Sequence, residues 1–355
     1  MKASPVAVLA VVHDVDPEGP DRSVALEAVA NRPIAHHVVR ELESIGVRKV
    51  IVVSPSGVSS QLRQDLETYA SQNAVAFTYI EHEGPLDVAG AITASASAVG
   101  SAPCVVHAAS GLLGEPLSTL ADRLGADSPD VSLFVHQGGG CTDGPLSRAT
   151  KDMLHVEEFD RGRAALGLAG VGLFGPGALA LAASAPWKAV DEVDLTALAQ
   201  RLRESDGALH VLPAKGWCRY DGDPMDLLEL NRLALERIDR GPSQAESHGN
   251  RIEGWVSIDP GATVRSSVIV GPTVIGPGAS VLDAYIGPYT SIGPGARIEG
   301  VEIERSIISP GASIRHVGGR IVSSVVGRNA RVFRDFSLPR AMRLRVGDGT
   351  EVALS

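Results

Sequence analysis

The chain has 355 residues, a net charge of −10, and hydrophobic and charged fractions of 44% and 21%. At roughly 100–200 residues per domain, that length predicts two or three domains that each bury a core, with two the working count, and the composition excludes a disordered or membrane-spanning class. Lys and Arg are scattered through an acidic chain, so no positive field exists to hold a phosphate backbone, and nucleic acid is excluded as a partner.

The apolar run at 6–12 follows Lys2 but is short and is closed by His13 and Asp14, so it reads as a buried strand and not as a signal peptide. No stretch approaches the roughly 20 apolar residues of a spanning helix. Further β-branched runs at 49–53, 77–80, 104–107 and 131–136 predict strands, and amphipathic stretches at 33–45, 60–71, 88–98, 116–124 and 195–204 predict helices between them. This alternation is that of an α/β domain over a mostly parallel sheet. Leu227, Leu228, Leu230, Leu233, Leu235 and Ile238 stripe a last helix over 225–240, which Gly241 and Pro242 end. The first domain is therefore expected at 1–241 and a polar linker at 242–252. Cys104, Cys141 and Cys218 are too few and too far apart for a disulfide framework or a zinc site, which points to a reducing, cytoplasmic compartment.

From 253 to 355 the texture changes. Ile258, Val264, Val270, Ile275, Val281, Ile286, Ile292, Ile298, Ile303, Ile308, Ile314, Ile321, Val326 and Val332 recur every five to seven residues. Turn residues lie between them, as in Gly276-Pro277-Gly278-Ala279 and Gly293-Pro294-Gly295-Ala296. Hexapeptide periodicity of this kind marks a parallel β-helix, in which only the stacking of successive coils buries the aliphatic positions. A sandwich of hairpins would instead alternate apolar and polar residues with wider turn spacing.

Three stretches, read together, resemble the long-form glucose-1-phosphate thymidylyltransferases of actinobacterial deoxysugar pathways. Val29-Ala30-Asn31-Arg32-Pro33-Ile34 is similar to that family's V-A-N-K-P-L. Gly216-Trp217 followed by Gly222-Asp223-Pro224-Met225-Asp226-Leu227-Leu228-Glu229-Leu230-Asn231-Arg232 resembles G-W-W-K-D-T-G-x-P-E-D-L-L-E-A-N-R. Ala284 to Gly295 is similar to the family's β-helix, and Ala169-Gly170-Val171 with Phe174-Gly175-Pro176 resembles A-G-V-Y-L-F-G-P. The resemblance implies a Rossmann-like nucleotidyltransferase (GT-A-like) domain with a mixed, mostly parallel sheet, followed by a left-handed parallel β-helix.

It also implies joining of a sugar 1-phosphate to a nucleoside triphosphate with release of pyrophosphate, a reaction run by groups that align and neutralise phosphates. Those groups are largely replaced here. Where the family has G-G-x-G-T-R-L-x-P, this chain reads from His13 to Arg22 with Asp14, Asp16, Glu18 and Asp21 and two prolines. Such a loop repels phosphate and lacks N–H groups at its prolines. The K-Q-L-x-P-V lysine has no counterpart, and the magnesium-binding Asp of L-G-D-N falls on Ser110. E-E-K-P becomes Glu157-Glu158-Phe159-Asp160, and the second magnesium Asp, in W-W-K-D-T-G, falls on Tyr220 with Asp221 one residue later. Loss of these charges removes most of the transition-state stabilisation.

The expected function is therefore that of a catalytically degenerate member that binds a sugar phosphate or nucleotide sugar, or regulates an active relative, as a homo- or hetero-oligomer. His82, Ser110, Glu158, Gly170 and Asp221 are the candidate ligand contacts, with no catalytic residue and no cofactor. The alternative is an active sugar- or cyclitol-1-phosphate nucleotidyltransferase in which Asp14, Asp16 and Asp221 hold magnesium; a third is an architectural oligomer. His13, His107 and His136 lie with His82 at strand ends. His36 and His37 read as core or surface residues, Gly138-Gly139-Gly140 as a flexible loop, and His316 as a structural residue of the repeat.

Overall fold

The structure is a computed structural model and describes residues 4–12, 23–56, 60–83, 86–120, 130–137, 153–154, 166–184, 187–188, 192–193, 195–213, 216–220, 222–238 and 249–334. The chain divides into two compact units, Met1–Gly241 and Pro242–Ser355.

The first unit runs β1 (Val6–Ala10), β2 (Ala28–Val29), β3 (Arg32–Pro33), α1 (Ile34–Ser44), β4 (Lys49–Pro55), α2 (Ser60–Gln72), β5 (Ala76–His82), α3 (Val88–Val99), β6 (Cys104–Ala108) and β7 (Gly111–Leu113). It continues with β8 (Val131–Gln137), β9 (Met153–Leu154), β10 (Leu166–Phe174), α4 (Ala178–Ala183), β11 (Trp187–Lys188), β12 (Glu192–Val193), α5 (Leu195–Glu204), β13 (Leu209–Pro213), β14 (Trp217–Arg219) and α6 (Pro224–Glu236). The main sheet is ordered β13-β8-β10-β6-β1-β4-β5, with β9 paired to β10. β1 pairs in parallel with β4 and β6, β4 with β5, and β8 with β13, whereas β10 runs antiparallel to both β6 and β8. The sheet is thus mixed and mostly parallel.

Strands β1, β4 and β6 are apolar on both faces because helices cover both. Val8, Ala10, Val53, Val106 and Ala108 share one core cluster with Leu86, Ala91 and Ile92 from the α3 side. α1 buries Ile34, Ala35, Val38, Val39 and Leu42, the i, i+4 stripe that makes it a helix packed on one face. Asp87 caps α3, its Oδ1 accepting from Gly90 N at 2.6 Å. In the stretch expected to be helical at 116–124, the described residues form only a short 3-10 turn at Leu117–Thr119, and 121–129 lie outside the description.

The motifs that carry the family resemblance prove to be fold-forming contacts. Ala30 and Asn31 have φ of 48° and 61°, so 29–32 closes β2 onto β3 as a two-residue hairpin with both central residues left-handed. The Ala30 N–H donates to Oδ1 of fully buried Asn231 on α6 at 2.8 Å, and His37 reaches the Val29 carbonyl at 2.9 Å. The Asp223-Pro224 pair starts α6: Asp223 accepts from Met225 N at 2.9 Å, and Pro224 occupies the first turn, where its missing N–H costs nothing.

The second unit is a parallel β-helix. Three sheets of five strands each run from Arg251–Glu253 to Arg331–Phe333, every strand pairing in parallel with the one a coil later. Ile269, Ile275, Ile286, Ile292, Ile303, Ile308 and Ile314 fill the interior. The Pro-Gly corners are turns in which the N–H of Ala262, Ala279, Ala296 and Ala312 bonds back to the carbonyl three residues earlier. Gly261, Gly278, Gly295 and Gly311 take φ of 81°, 68°, 66° and 72°, the left-handed third position of such a turn, where a Cβ is strained. The repeat is 17 residues at Arg251↔Val268 and Val268↔Tyr285, and its registers vary between 16, at Ser291↔Ile307, and 18, at Glu302↔Arg320.

Candidate functional site

Parallel strands place their carboxyl ends along one edge, and the edge formed by β6, β1, β4 and β5 gathers two of the expected positions. Ala108, Ala10, Val53 and Ile80 lie in one register row across these strands. His82 follows two residues beyond that row on β5, and Ser110 two residues beyond it in the turn after β6. Three strand spacings, about 14 Å, separate Ala108 from Ile80 along the row. Ser110 is buried, and its Oγ finds no hydrogen-bond partner among the described residues; the same holds for the buried Nδ1 of His82. A buried polar atom left unpaired costs about 1–3 kcal/mol, and two such atoms lie along this edge. His82 also lies beside the first turn of α3, its Nε2 being 3.5 Å from where a side chain on Gly90 would begin.

Ser110 sits at a crossing. β14 pairs antiparallel with β7, and the ladder is extended by Tyr220 N donating to Ser110 O at 3.0 Å. The fold therefore puts side by side the two positions where the resembling family carries magnesium carboxylates, and here they hold a hydroxyl and a phenol. Neither offers the full negative charge that a hard divalent cation takes from protein oxygens, so these two residues do not fit magnesium. Among the described residues no group of three or more His, Cys, Asp and Glu converges as a metal site. Asp14, Asp16, Glu158 and Asp221 lie outside the described residues, as do His13 and Gly138-Gly139-Gly140.

Gly170 belongs to the same corner. A Cβ on Gly170 would stand 2.7 Å from the Ala108 Cβ and 2.9 Å from the Trp217 ring, and one on Gly111 would stand 2.4 Å from that ring. The two glycines thus make the slot in which the indole lies. Arg219 pairs with Gly111 and so comes next to Ser110; sequence reasoning did not single it out, although it falls on the lysine of W-W-K-D-T-G and was legible there.

His107 does not join the site. It is turned into the core, 2% exposed, its Nδ1 bonded to the Ala108 carbonyl at 2.8 Å and its ring edge-on to Trp217 at 5.8 Å. Burial lowers its pKa from 6.5 to about 4, so it is neutral at pH 7 and its Nδ1–H donates. His37 is lowered to about 4 for the same reason. A folded-state pKa below the unfolded value means that the unfolded chain takes up the proton first. Stability is then flat above pH 6.5 and falls as the pH drops from 6.5 towards 4. Each histidine is expected to cost about 2–3 kcal/mol between pH 7.5 and 4.5; urea midpoints at the two pH values check this, and His107→Gln should remove part of the difference.

His36 pairs with Asp65 at 2.6 Å and stacks on Tyr69 at 4.7 Å, joining α1 to α2. His136 lies on β8, its side chain outside the description. His316 is a left-handed corner of the β-helix, φ 51°, 3.6 Å from Glu299. A cavity of about 500 Å³ on the β-helix includes Tyr285, Glu302 and Arg320, but Arg320 is already paired with Glu302 and Glu304 at 3.0 and 3.1 Å, so its charge is compensated.

The described residues thus form a mixed, mostly parallel sheet in the first unit and a parallel β-helix in the second. No protein-family model matches the chain. It is a relative of proteins named glucose-1-phosphate thymidylyltransferase from Streptomyces griseus and Streptomyces antibioticus, 28% identical over 335 and 337 residues and 93% of each chain. It is equally similar, 28% over 341 residues, to the low-salt glycan biosynthesis nucleotidyltransferase Agl11 of Haloferax volcanii. A Bacillus anthracis protein assigned as a glucose-1-phosphate thymidylyltransferase, crystallised with sucrose, shares the fold with a TM-score of 0.52 at 14% identity, covering 67% of this chain and 97% of its own. Among the described residues no helix is long and apolar enough to cross a membrane.

Proposed function

We propose that this protein binds a sugar phosphate or nucleotide sugar at the carboxyl edge of its sheet without catalysing nucleotidyl transfer, and acts as a regulatory or binding member of sugar-nucleotide metabolism in the cytoplasm. The observation that carries this reading is the unpartnered, buried Ser110 Oγ beside Tyr220, with the His82 Nδ1 unpartnered at the far end of the same edge. The two positions matched to metal carboxylates in the resembling family carry a hydroxyl and a phenol, which supports binding without catalysis. A row about 14 Å wide between β6 and β5 suits a ligand with a base or sugar at one end and a phosphorylated sugar at the other. Of the other expected contacts, Gly170 shapes the slot beside Ser110, while Glu158 and Asp221 are assigned to ligand on the resemblance alone.

The test is thermal unfolding with a panel of sugar 1-phosphates and nucleoside diphosphate sugars in the absence of magnesium. A ligand at about 100 times its Kd adds about 2.7 kcal/mol, a rise of several degrees. Ser110→Val and His82→Phe are expected to abolish the rise while leaving the ligand-free midpoint unchanged or higher, because each removes an unsatisfied atom. No rise with any member of the panel would overturn the reading.

The relatives' names favour the second reading, an active sugar- or cyclitol-1-phosphate nucleotidyltransferase with Asp14, Asp16 and Asp221 on magnesium. The two diverge in pyrophosphate release. Partnership with a second copy or an active relative follows from the regulatory reading and is checked by sedimentation and native pull-down.

A further inference from the structure

The three sheets of the β-helix differ in how they carry charge. On the sheet that runs from Arg251–Glu253 to Arg320–Val322 the arginines are paired, Arg251 with Glu253 and Arg320 with Glu302 and Glu304. The strands from Val256–Ile258 to Val325–Val326 hold no charged residue. The third sheet comprises Thr263–Arg265, Ser280–Leu282, Arg297–Glu299, Ser313–Arg315 and Arg331–Phe333. Its middle residues Val264, Val281, Ile298 and Ile314 fill the core, so the residues on either side of them face outward. Arg297, Ser313 and Arg331 align in one outward row, and Arg265, Leu282, Glu299, Arg315 and Phe333 in the other.

Arg265, Arg297, Arg315 and Arg331 are all exposed, and none of them has an ion pair among the described residues. The one carboxylate of this face, Glu299, is turned to His316 at 3.6 Å. Leu282 and Phe333 lie among the arginines, 40% and 54% exposed, and the Arg331 guanidinium rests over the Phe333 ring at 5.7 Å. Arginine and aromatic side chains around apolar surface have the composition of a protein interface, whereas a small ligand needs a concave site. None of the four arginines lines the β-helix cavity at Tyr285 and Arg320.

What covers such a face has to be acidic. The chain itself supplies such a surface: Met1–Gly241 has 20 Lys and Arg against 32 Asp and Glu, a charge of −12, whereas Pro242–Ser355 has 12 against 10, a charge of +2. Two copies of the arginine face would repel each other, so the β-helices do not pair through it. We propose that the arginine face docks on the acidic first unit of a second copy of this chain, the contact being made twice about a two-fold axis. This rests on the β-helix and on charge, and is independent of the ligand edge.

Sedimentation of the full chain at about 0.1 M and about 1 M salt, where charge acts over about 10 Å and about 3 Å, tests this. A dimer is expected at the lower salt, with its dissociation constant raised about tenfold or more at the higher. Arg297→Glu/Arg315→Glu/Arg331→Glu is expected to weaken the dimer about 100-fold at the lower salt, and the corresponding Lys variant to keep it. Neither should lower the melting midpoint, because these side chains lose no partner within the chain. A parent that is monomeric at about 100 μM and the lower salt overturns the proposal, as does a dimer that the Glu variant leaves intact. So does a melting midpoint that inorganic phosphate or pyrophosphate raises in a monomeric parent and not in the Glu variant, because a small anion would then be what the face takes.

Discussion

Purified protein given magnesium, each nucleoside triphosphate in turn and a panel of sugar and cyclitol 1-phosphates is expected to release no pyrophosphate above the uncatalysed background. Removing one preorganised charge-stabilising group typically costs about 10²–10³ in rate. Here the phosphate loop, a phosphate-binding lysine and both metal positions differ from the resembling family, so several such factors multiply. The geometry makes a sharper version available. Tyr220 N bonds Ser110 O, so Ser110→Asp with Tyr220→Asp sets two carboxylates side by side. Without metal they repel and the double variant should melt several degrees below the parent; millimolar magnesium should recover that loss, while leaving the parent's midpoint unmoved. Turnover by the parent that disappears on Asp221→Ala would instead place a metal on that carboxylate and establish the active-enzyme reading.

Arg237→Met is expected to destabilise the first unit by about 3–5 kcal/mol, read as a lower urea midpoint at unchanged slope. The Arg237 guanidinium, just past α6, donates to the carbonyls of Leu113 and Glu115 and pairs with Glu41 of α1 at 3.4 Å. Glu41 in turn accepts from Leu117 N at 2.8 Å. This one side chain therefore fastens the segment after β7 to two helices. Removing it leaves two carbonyls without a donor and a half-buried carboxylate without its cation. Burial lowers the Arg237 pKa from its usual value, the opposing pull of Glu41 notwithstanding, which shows how much desolvation the cation bears. A loss under about 1 kcal/mol would mean that water replaces the guanidinium and that the segment is not held this way.

The ligand edge was only partly readable. His82 and Ser110 were singled out by matching strings, but a string cannot say that both lie two residues beyond a shared register row with an unpaired atom each; that depends on β1, β4, β5 and β6 being in register. His107 matched the strand-end criterion as well as His82 did and proved to be a core residue, because side-chain direction at a strand end is set by what packs there, here Trp217 and the Ala108 carbonyl. Asn231 and Arg237 looked like ordinary helix positions. Their partners, Ala30 and Leu113, are separated from them by 201 and 124 residues, and no local pattern carries that information.

By itself the sequence determined the element types and the repeat, since both are periodicities of apolar burial: 3.6 in the helices, uninterrupted runs in the covered strands, and five to seven in the coils, with Pro-Gly corners where left-handed backbone is required. It also set the expectation, from positions matched to the resembling family, that the residues of phosphate chemistry are replaced, because charge can be read at each matched position. Only the tertiary structure decided that β10 enters the sheet antiparallel between β6 and β8, and that Ser110 and Tyr220 meet across the β7–β14 ladder. The physical reason is that strand pairing and close approach join residues far apart in the chain, and such contacts are selected by the packing of the whole unit, not by any local preference.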